Sequence, residues 1–172
     1  MTYRGETSEE TGSLGVGFTL SEGASVKVSK GSSGVFVNGE NSSFPTVSDV
    51  VSKLSKEEVL VEIDSELEFG SGFGLSGACA LATAFALNEL FSLGKSKEEL
   101  ALVAHCAEVE NGTGLGDVAG QLSGGVKIKL NDKSALSVYK LDMPEQKVYY
   151  RVFAPIETKS VITSEEKKKF IN

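Results

Sequence analysis

The chain has 172 residues, enough for one ordinary domain and too few for two comfortable ones. Hydrophobic residues make up 40% and charged residues 24%, a globular balance, and no apolar run approaches the ~20 residues of a membrane helix. The net charge of −7, with basic residues scattered along the chain, argues against a nucleic-acid partner.

The opening Met1-Thr2-Tyr3-Arg4-Gly5-Glu6 has neither the basic nor the apolar part of a signal peptide, so the expected location is the cytoplasm. Residues 1–13 are polar and rich in Gly, Ser and Thr, and read as a loose segment. Short alternating runs at 14–20 and 26–37, broken by Gly23, Gly31, Gly34 and Gly39, predict a β-meander. Thr46 reads as the cap of a short helix ending at Leu54, and the alternation of Val59, Val61 and Ile63 as a half-buried strand. Residues 78–93 are rich in Ala and Leu and nearly uncharged, which predicts a central helix buried all round and ended by Gly94. Ser96 and Glu99 form a capping box that opens a second helix, with Leu100, Val103, Ala104 and Ala107 on one face. A glycine-rich loop over 111–117, a short helix to Leu122 and a strand over 126–130 follow. Two further strands near 135–140 and 147–153 and a helix over 164–170 complete an α+β pattern. Cys79 and Cys106 are too few for a disulfide framework or a metal knuckle and read as buried reduced thiols. His105, the only histidine, reads as structural.

The most informative stretch is Gly70-Ser71-Gly72-Phe73-Gly74-Leu75-Ser76-Gly77, which runs straight into the apolar helix. Glycines let a backbone approach a bulky anion, and a helix start presents unpaired N–H groups and the positive end of its dipole. Phosphate is the natural occupant. A Rossmann unit is excluded because helix follows helix with no strand in the next twenty or so residues, roughly where that fold needs one. A P-loop is excluded because no Gly-Lys-Ser/Thr ends the stretch, and a protein-kinase loop because that one sits on a hairpin. A second signal is Asp117 within Gly114-Leu115-Gly116-Asp117, an acid among small residues. It lies seven and eight positions before Gly124 and Gly125.

These two motifs, in this order, resemble those of the GHMP kinases, and their wording is most similar to the archaeal pantoate kinase branch of that family. The first departs from the commonest family pattern, since Leu75 stands where a first serine is usual and no proline precedes the loop. The resemblance covers roughly residues 12–155. It implies the fold of the second domain of ribosomal protein S5, a mixed sheet packed against two long helices. It also implies an ATP- and Mg²⁺-dependent transfer of phosphate to a small hydroxy acid, pantoate giving 4-phosphopantoate on the way to coenzyme A, with homoserine, shikimate or mevalonate as alternative acceptors. Gly70 to Gly77 would cradle the ATP phosphates, with Ser76 and Glu108 holding Mg²⁺ and Glu110 as the alternative ligand. Asp117 would be the catalytic residue, orienting or deprotonating the acceptor hydroxyl. Lys129 and Ser13 would line the acceptor site, Lys127 being the solvent-facing neighbour on the same strand. Residues 14–163 would form the ATP-binding domain and 164–172 the start of a second lobe, whose absence leaves apolar surface uncovered and favours a homodimer or other self-association. A non-enzyme alternative is a nucleotide-binding remnant without turnover.

Overall fold

The computed structural model describes residues 2–131 and 134–154, so the helix expected over 164–170 lies outside the described residues. In chain order the elements are β1 (Thr2–Tyr3), β2 (Gly12–Ser13), β3 (Gly15–Phe18), β4 (Ala24–Lys30), β5 (Gly34–Val37), β6 (Glu40–Asn41) and α1 (Pro45–Leu54). Then come β7 (Val59–Ser65), α2 (Leu75–Phe91), α3 (Lys97–Asn111), α4 (Asp117–Ser123), β8 (Val126–Lys129) and β9 (Tyr139–Leu141). A four-stranded mixed sheet in the order β4-β7-β5-β6 carries one parallel pairing, β5 on β7, among antiparallel ones. A three-stranded antiparallel sheet, β3-β8-β9, stands apart from it.

The expected meander is therefore divided: β3 pairs with β8, a strand more than a hundred residues on, while β4 and β5 both flank β7. Alternation marks a strand but not its partner, and β7 takes both neighbours because Val59, Val61 and Ile63 are all buried on one face. That face, with Val35 from β5, meets Val47, Val50 and Leu54 of α1 and Cys79, Ala80, Ala84 and Leu87 of α2 in one core. α2 packs against α1, α3, α4 and β4, which explains why it is apolar all round. Alanines at 80, 84, 101 and 104 are fully buried, so α2 and α3 pack with little side chain between them.

Local signals decided several ends. The Ser96–Glu99 capping box is present in both directions, with Glu99 N–H on Ser96 Oγ at 3.2 Å and Ser96 N–H on Glu99 Oε2 at 2.8 Å. Helix α2 begins at Leu75, inside the glycine motif, and ends at Ser92 in the left-handed region, before Gly94. Thr46 is not a cap: α1 starts at Pro45 after Phe44, and the Thr46 hydroxyl turns inward. Residues 2–13 are not loose either. β1 and β2 pair antiparallel, and buried His105 binds the carbonyl of Thr11 through Nε2 at 2.8 Å, which anchors the segment to α3. Burial holds the His105 pKa below its usual value, consistent with a neutral structural ring. Both cysteines are free and buried. The strand expected over 147–153 does not form; residues 142–154 run without ladder pairing, and Tyr150 packs edge-on against Phe73 at 4.8 Å between centroids. Val16, Phe18, Leu130, Tyr139 and Leu141 leave an apolar surface open on the smaller sheet. No described helix is long and apolar enough to cross a membrane.

Candidate functional site

Gly70, Gly72 and Gly74 hold φ values of +78°, +84° and +66°, the left-handed region that costs other residues about 1–2 kcal/mol each. Gly74 is the N-cap, and no side chain caps the helix, so the N–H groups of its first turn have no side-chain partner. A Cβ on Gly74 would stand 3.1 Å from Gln121 Nε2 and 3.3 Å from Asp117 Cγ, so the position is closed by crowding as well as by φ. Gly72, Phe73, Gly74, Leu75 and Ala78 line a cleft, whereas Gly70, Ser71, Ser76 and Gly77 of the same motif are not among its lining residues.

Behind the first turn of α2 lies a buried polar cluster. Glu108, in the last turn of α3, is 1% exposed, and its Oε1 accepts a 3.0 Å hydrogen bond from Thr113 Oγ1. Ser76 also hydrogen-bonds the Glu108 carboxylate, its Oγ lies 3.4 Å from Thr46 Oγ1, and the Thr46 and Thr113 hydroxyls lie 3.1 Å apart. Burial, and then the nearby Asp117 charge, push the Glu108 pKa up to about 7, against the two hydroxyl donors. Cys79 feels the same acid, its thiol raised to about 12 by burial and then by Glu108. Glu110 is elsewhere. It is exposed, bonded to Lys53 Nζ at 2.5 Å and to Ser8 Oγ at 2.9 Å, and ties α3 to α1 and to the N-terminal segment.

Asp117 opens α4, and its side chain faces two adjoining clefts. The larger, about 880 Å³, runs from the glycine loop past Val16–Ser25 to Val148 and Tyr150. The smaller, about 340 Å³, is lined by Ser13, Gly114–Gly116, Lys127, Lys129 and Val138. Asp117 is open to this space, yet the surrounding walls strip enough water to raise its pKa above the ordinary value. With Asp117 ionised first, Glu108 titrates in its field. Ser76, Glu108 and Asp117 thus converge on one place, although 41 positions separate the first from the last in the sequence.

Lys127 is a correction. It is 3% exposed and not solvent-facing: β8 turns Lys127 and Lys129 to the same inner side, as residues two apart must be. Lys127 Nζ donates to the carbonyl of Gly120 in α4, and Lys129 Nζ to those of Ser134 (2.6 Å) and Ala135. Burial, then Lys140, hold the Lys127 pKa below its usual value.

Residues 45–125, which include both glycine motifs and all three oxygen donors, match the family model described as the N-terminal domain of GHMP kinases. The pantoate kinase of Methanocaldococcus jannaschii is 35% identical over 170 residues, 95% of this chain and 61% of that protein. Residues 45–125 are of the GHMP kinase N-terminal type. The pantoate kinase of Methanospirillum hungatei is 28% identical over 166 residues, 91% of this chain and 57% of that protein. A solved structure described as a phosphotransferase related to the CoA biosynthesis pathway superposes with a TM-score of 0.74 at 32% identity. That superposition covers 83% of this chain and 52% of the other. The chain spans between half and two thirds of the length of these relatives.

Sequence reasoning missed Thr46, Thr113, Gln121 and Lys127 as parts of the candidate site. Two of these had a periodic signal: Gln121 is one helical turn after Asp117, and Lys127 shares the strand face of Lys129. The hydroxyls had none, since only folding brings α1 to the end of α3. The donor set of two carboxylates and a hydroxyl is hard oxygen, which fits a magnesium ion completed by water and phosphate. Among the described residues no group of three or more acids, cysteines or histidines gathers, so a purely protein-made cage is not what this site offers.

Gly77 is held small by this site. A Cβ there would stand 2.8 Å from Glu108 Oε2 and 3.2 Å from Asp117 Cβ. The buried carboxylate has nowhere to swing, so Gly77→Ala should lower the urea midpoint by the equivalent of about 1–3 kcal/mol. An unchanged midpoint would show that the carboxylate relaxes freely.

Proposed function

We propose that this domain supplies the donor-binding and phosphoryl-transfer site of an ATP-dependent kinase acting on a small hydroxy acid, pantoate, to give 4-phosphopantoate. The observation that carries the reading is the position of Asp117 on the wall shared by a glycine-lined cleft and a lysine-lined one. A triphosphate laid against the N–H groups of the first turn of α2 brings its terminal phosphate towards Asp117. An acceptor in the smaller cleft approaches from the other side, its carboxylate drawn to the Lys129 and Lys127 end and its hydroxyl to Asp117, with Ser13 close by. Two buried lysines on one wall support an anionic acceptor over a neutral sugar.

In the reaction the acceptor hydroxyl oxygen forms a bond to the γ-phosphorus, the bond from that phosphorus to the β,γ-bridging oxygen breaks, and ADP leaves. The hydroxyl proton passes to an Asp117 oxygen, and the raised pKa of this carboxylate makes it a better acceptor than an exposed aspartate. Glu108 and Ser76 would hold magnesium, which when bound supplies neutralisation of the phosphate charge. Glu108 is suited to that task because its own charge is destabilised by burial and by Asp117, a cost that a neighbouring cation relieves.

An ADP-release assay on the full chain with pantoate, homoserine, shikimate and mevalonate tests the acceptor. The expected result is turnover with pantoate above the others. Turnover with homoserine and not pantoate would replace the acceptor, whereas Mg·ATP binding with no turnover on any acceptor would leave a nucleotide-binding module.

A further inference from the structure

Gln121 has a role that neither glycine motif announces. It follows Asp117 by one turn of α4, so the two side chains project from the same face. Its Nε2 donates a 2.8 Å hydrogen bond to the carbonyl of Gly74, the N-cap of α2. That bond fixes which way the amide points, since a flip would set two carbonyl oxygens against each other. Oε1 is thereby turned the other way, where it is buried and has no hydrogen-bond partner among the described residues. A Cβ built on Gly77 would lie 3.2 Å from this oxygen and 2.8 Å from Glu108 Oε2, so the orphan acceptor and the buried carboxylate flank the same small gap in the first turn of α2.

A buried carbonyl left without a donor costs about 1–3 kcal/mol, and such atoms in folded proteins generally mark a missing partner. Once Mg·ATP is bound, the cation keeps Glu108 and Asp117 ionised, and these carboxylates and the phosphates are all acceptors, so none of them answers the need. Water does, and most strongly when a divalent cation holds it, because such a cation polarises its waters into strong donors. We propose that Gln121 is a positioning residue of the nucleotide site: its amide N–H ties the glycine loop to the helix bearing Asp117, and its carbonyl accepts a hydrogen bond from the hydration shell of the cation bound with the triphosphate. The inference rests on the Mg·ATP reading of the larger cleft. Gln121, the only amide on that face of α4, then joins the packing of Asp117 on Gly74 and Gly77 in setting the distance between the donor phosphates and the proton acceptor.

Titration calorimetry of the full chain with Mg·ATP, and with ATP in EDTA, tests the proposal beside thermal unfolding of the ligand-free chain. Gln121→Met matches the length and removes both hydrogen bonds, and should weaken Mg·ATP binding about ten-fold. ATP in EDTA should weaken about three-fold, since only the tie to Gly74 is lost. Gln121→Glu keeps an acceptor but sets a carboxylate oxygen against the Gly74 carbonyl. It should bind Mg·ATP no better than the Met variant, and it decides the matter if the Met variant does not fold. Mg·ATP affinity within about two-fold of the parent in a folded variant would overturn the proposal. So would equal losses with and without the cation alongside a lowered melting temperature, which mark a purely structural tie. Failure of the parent chain itself to bind Mg·ATP is a different result: it overturns the nucleotide reading of the cleft, and this inference with it.

Discussion

Asp117→Asn should lower phosphoryl transfer by about 10²–10⁴-fold, the range that a positioned proton acceptor contributes, while Mg·ATP still binds. The substitution keeps the shape of a side chain packed against Gly74 and Gly77, so the glycine loop has no reason to move. It removes the basic oxygen and leaves the donor cleft lined as before. A second consequence separates this carboxylate from an inert wall residue. Without the Asp117 charge, one of the two causes of the raised Glu108 pKa disappears, and the remaining one is burial. The ligand-free Asn variant should therefore be more stable than the parent near neutral pH, even as it loses activity. Single-turnover transfer, calorimetric titration and urea unfolding at pH 7.5 check the three parts, the pH being about one half-unit above the Glu108 value. Retention of full transfer would remove Asp117 from the chemistry altogether.

Glu108→Gln carries the second large effect, and its sign runs against the usual carboxylate case. The folded state holds this proton more tightly than the unfolded chain does, with a pKa of about 7 against an ordinary 4.5. The associated stability is present in full below the unfolded value and is lost as pH rises to about 7, with no further change above it. A shift of that size corresponds to roughly 3 kcal/mol at about 1.4 kcal/mol per pH unit, an order-of-magnitude figure for a group this buried. The metal-free Gln variant should thus be more stable than the parent at pH 8 and nearly equal to it at pH 4. His105 titrates in an overlapping window with the opposite slope, since its folded pKa is lowered, so the informative quantity is the variant-minus-parent difference. Addition of Mg²⁺ with ATP at pH 8 should stabilise the parent and barely affect the variant, because the residue expected to hold the cation has become neutral. Urea unfolding in EDTA across pH 4–8, at the window bounded by the two Glu108 values, measures the first part. A difference independent of pH would show that Glu108 titrates in the folded chain as it does in the unfolded one, with its burial offset by groups other than the ones named.

Much of the candidate site was legible because its parts are local. A glycine loop running into an uncharged helix is a contiguous string, and its anion-binding logic needs only the backbone of residues 70–77. Asp117 was legible for a similar reason: a charge set among glycines ahead of a Gly124-Gly125 turn is hard to explain as a solvated surface acid. Glu108 and Glu110 could not be told apart, because both occupy the last turn of one helix and the difference is what surrounds them. Two positions turn the side chain by about 200°, which puts Glu108 under α2 and leaves Glu110 beside Lys53. Lys127 was misread for want of the partner sheet, since a strand with one face on a cleft and one open offers no sequence mark of which is which.

The sequence by itself determined the four described helices and the central strand β7 in their order, the buried character of α2 and the capping box of α3, along with the two glycine motifs. These are short-range matters of periodicity, backbone freedom and terminal hydrogen bonds. Only the tertiary structure decided which strands pair, which acid is buried and which lysines face inward, and that Thr46, Ser76, Thr113 and Glu108 form one polar cluster. Those choices depend on which surfaces water leaves when distant segments meet, and neither pKa shifts nor strand partners exist until that happens.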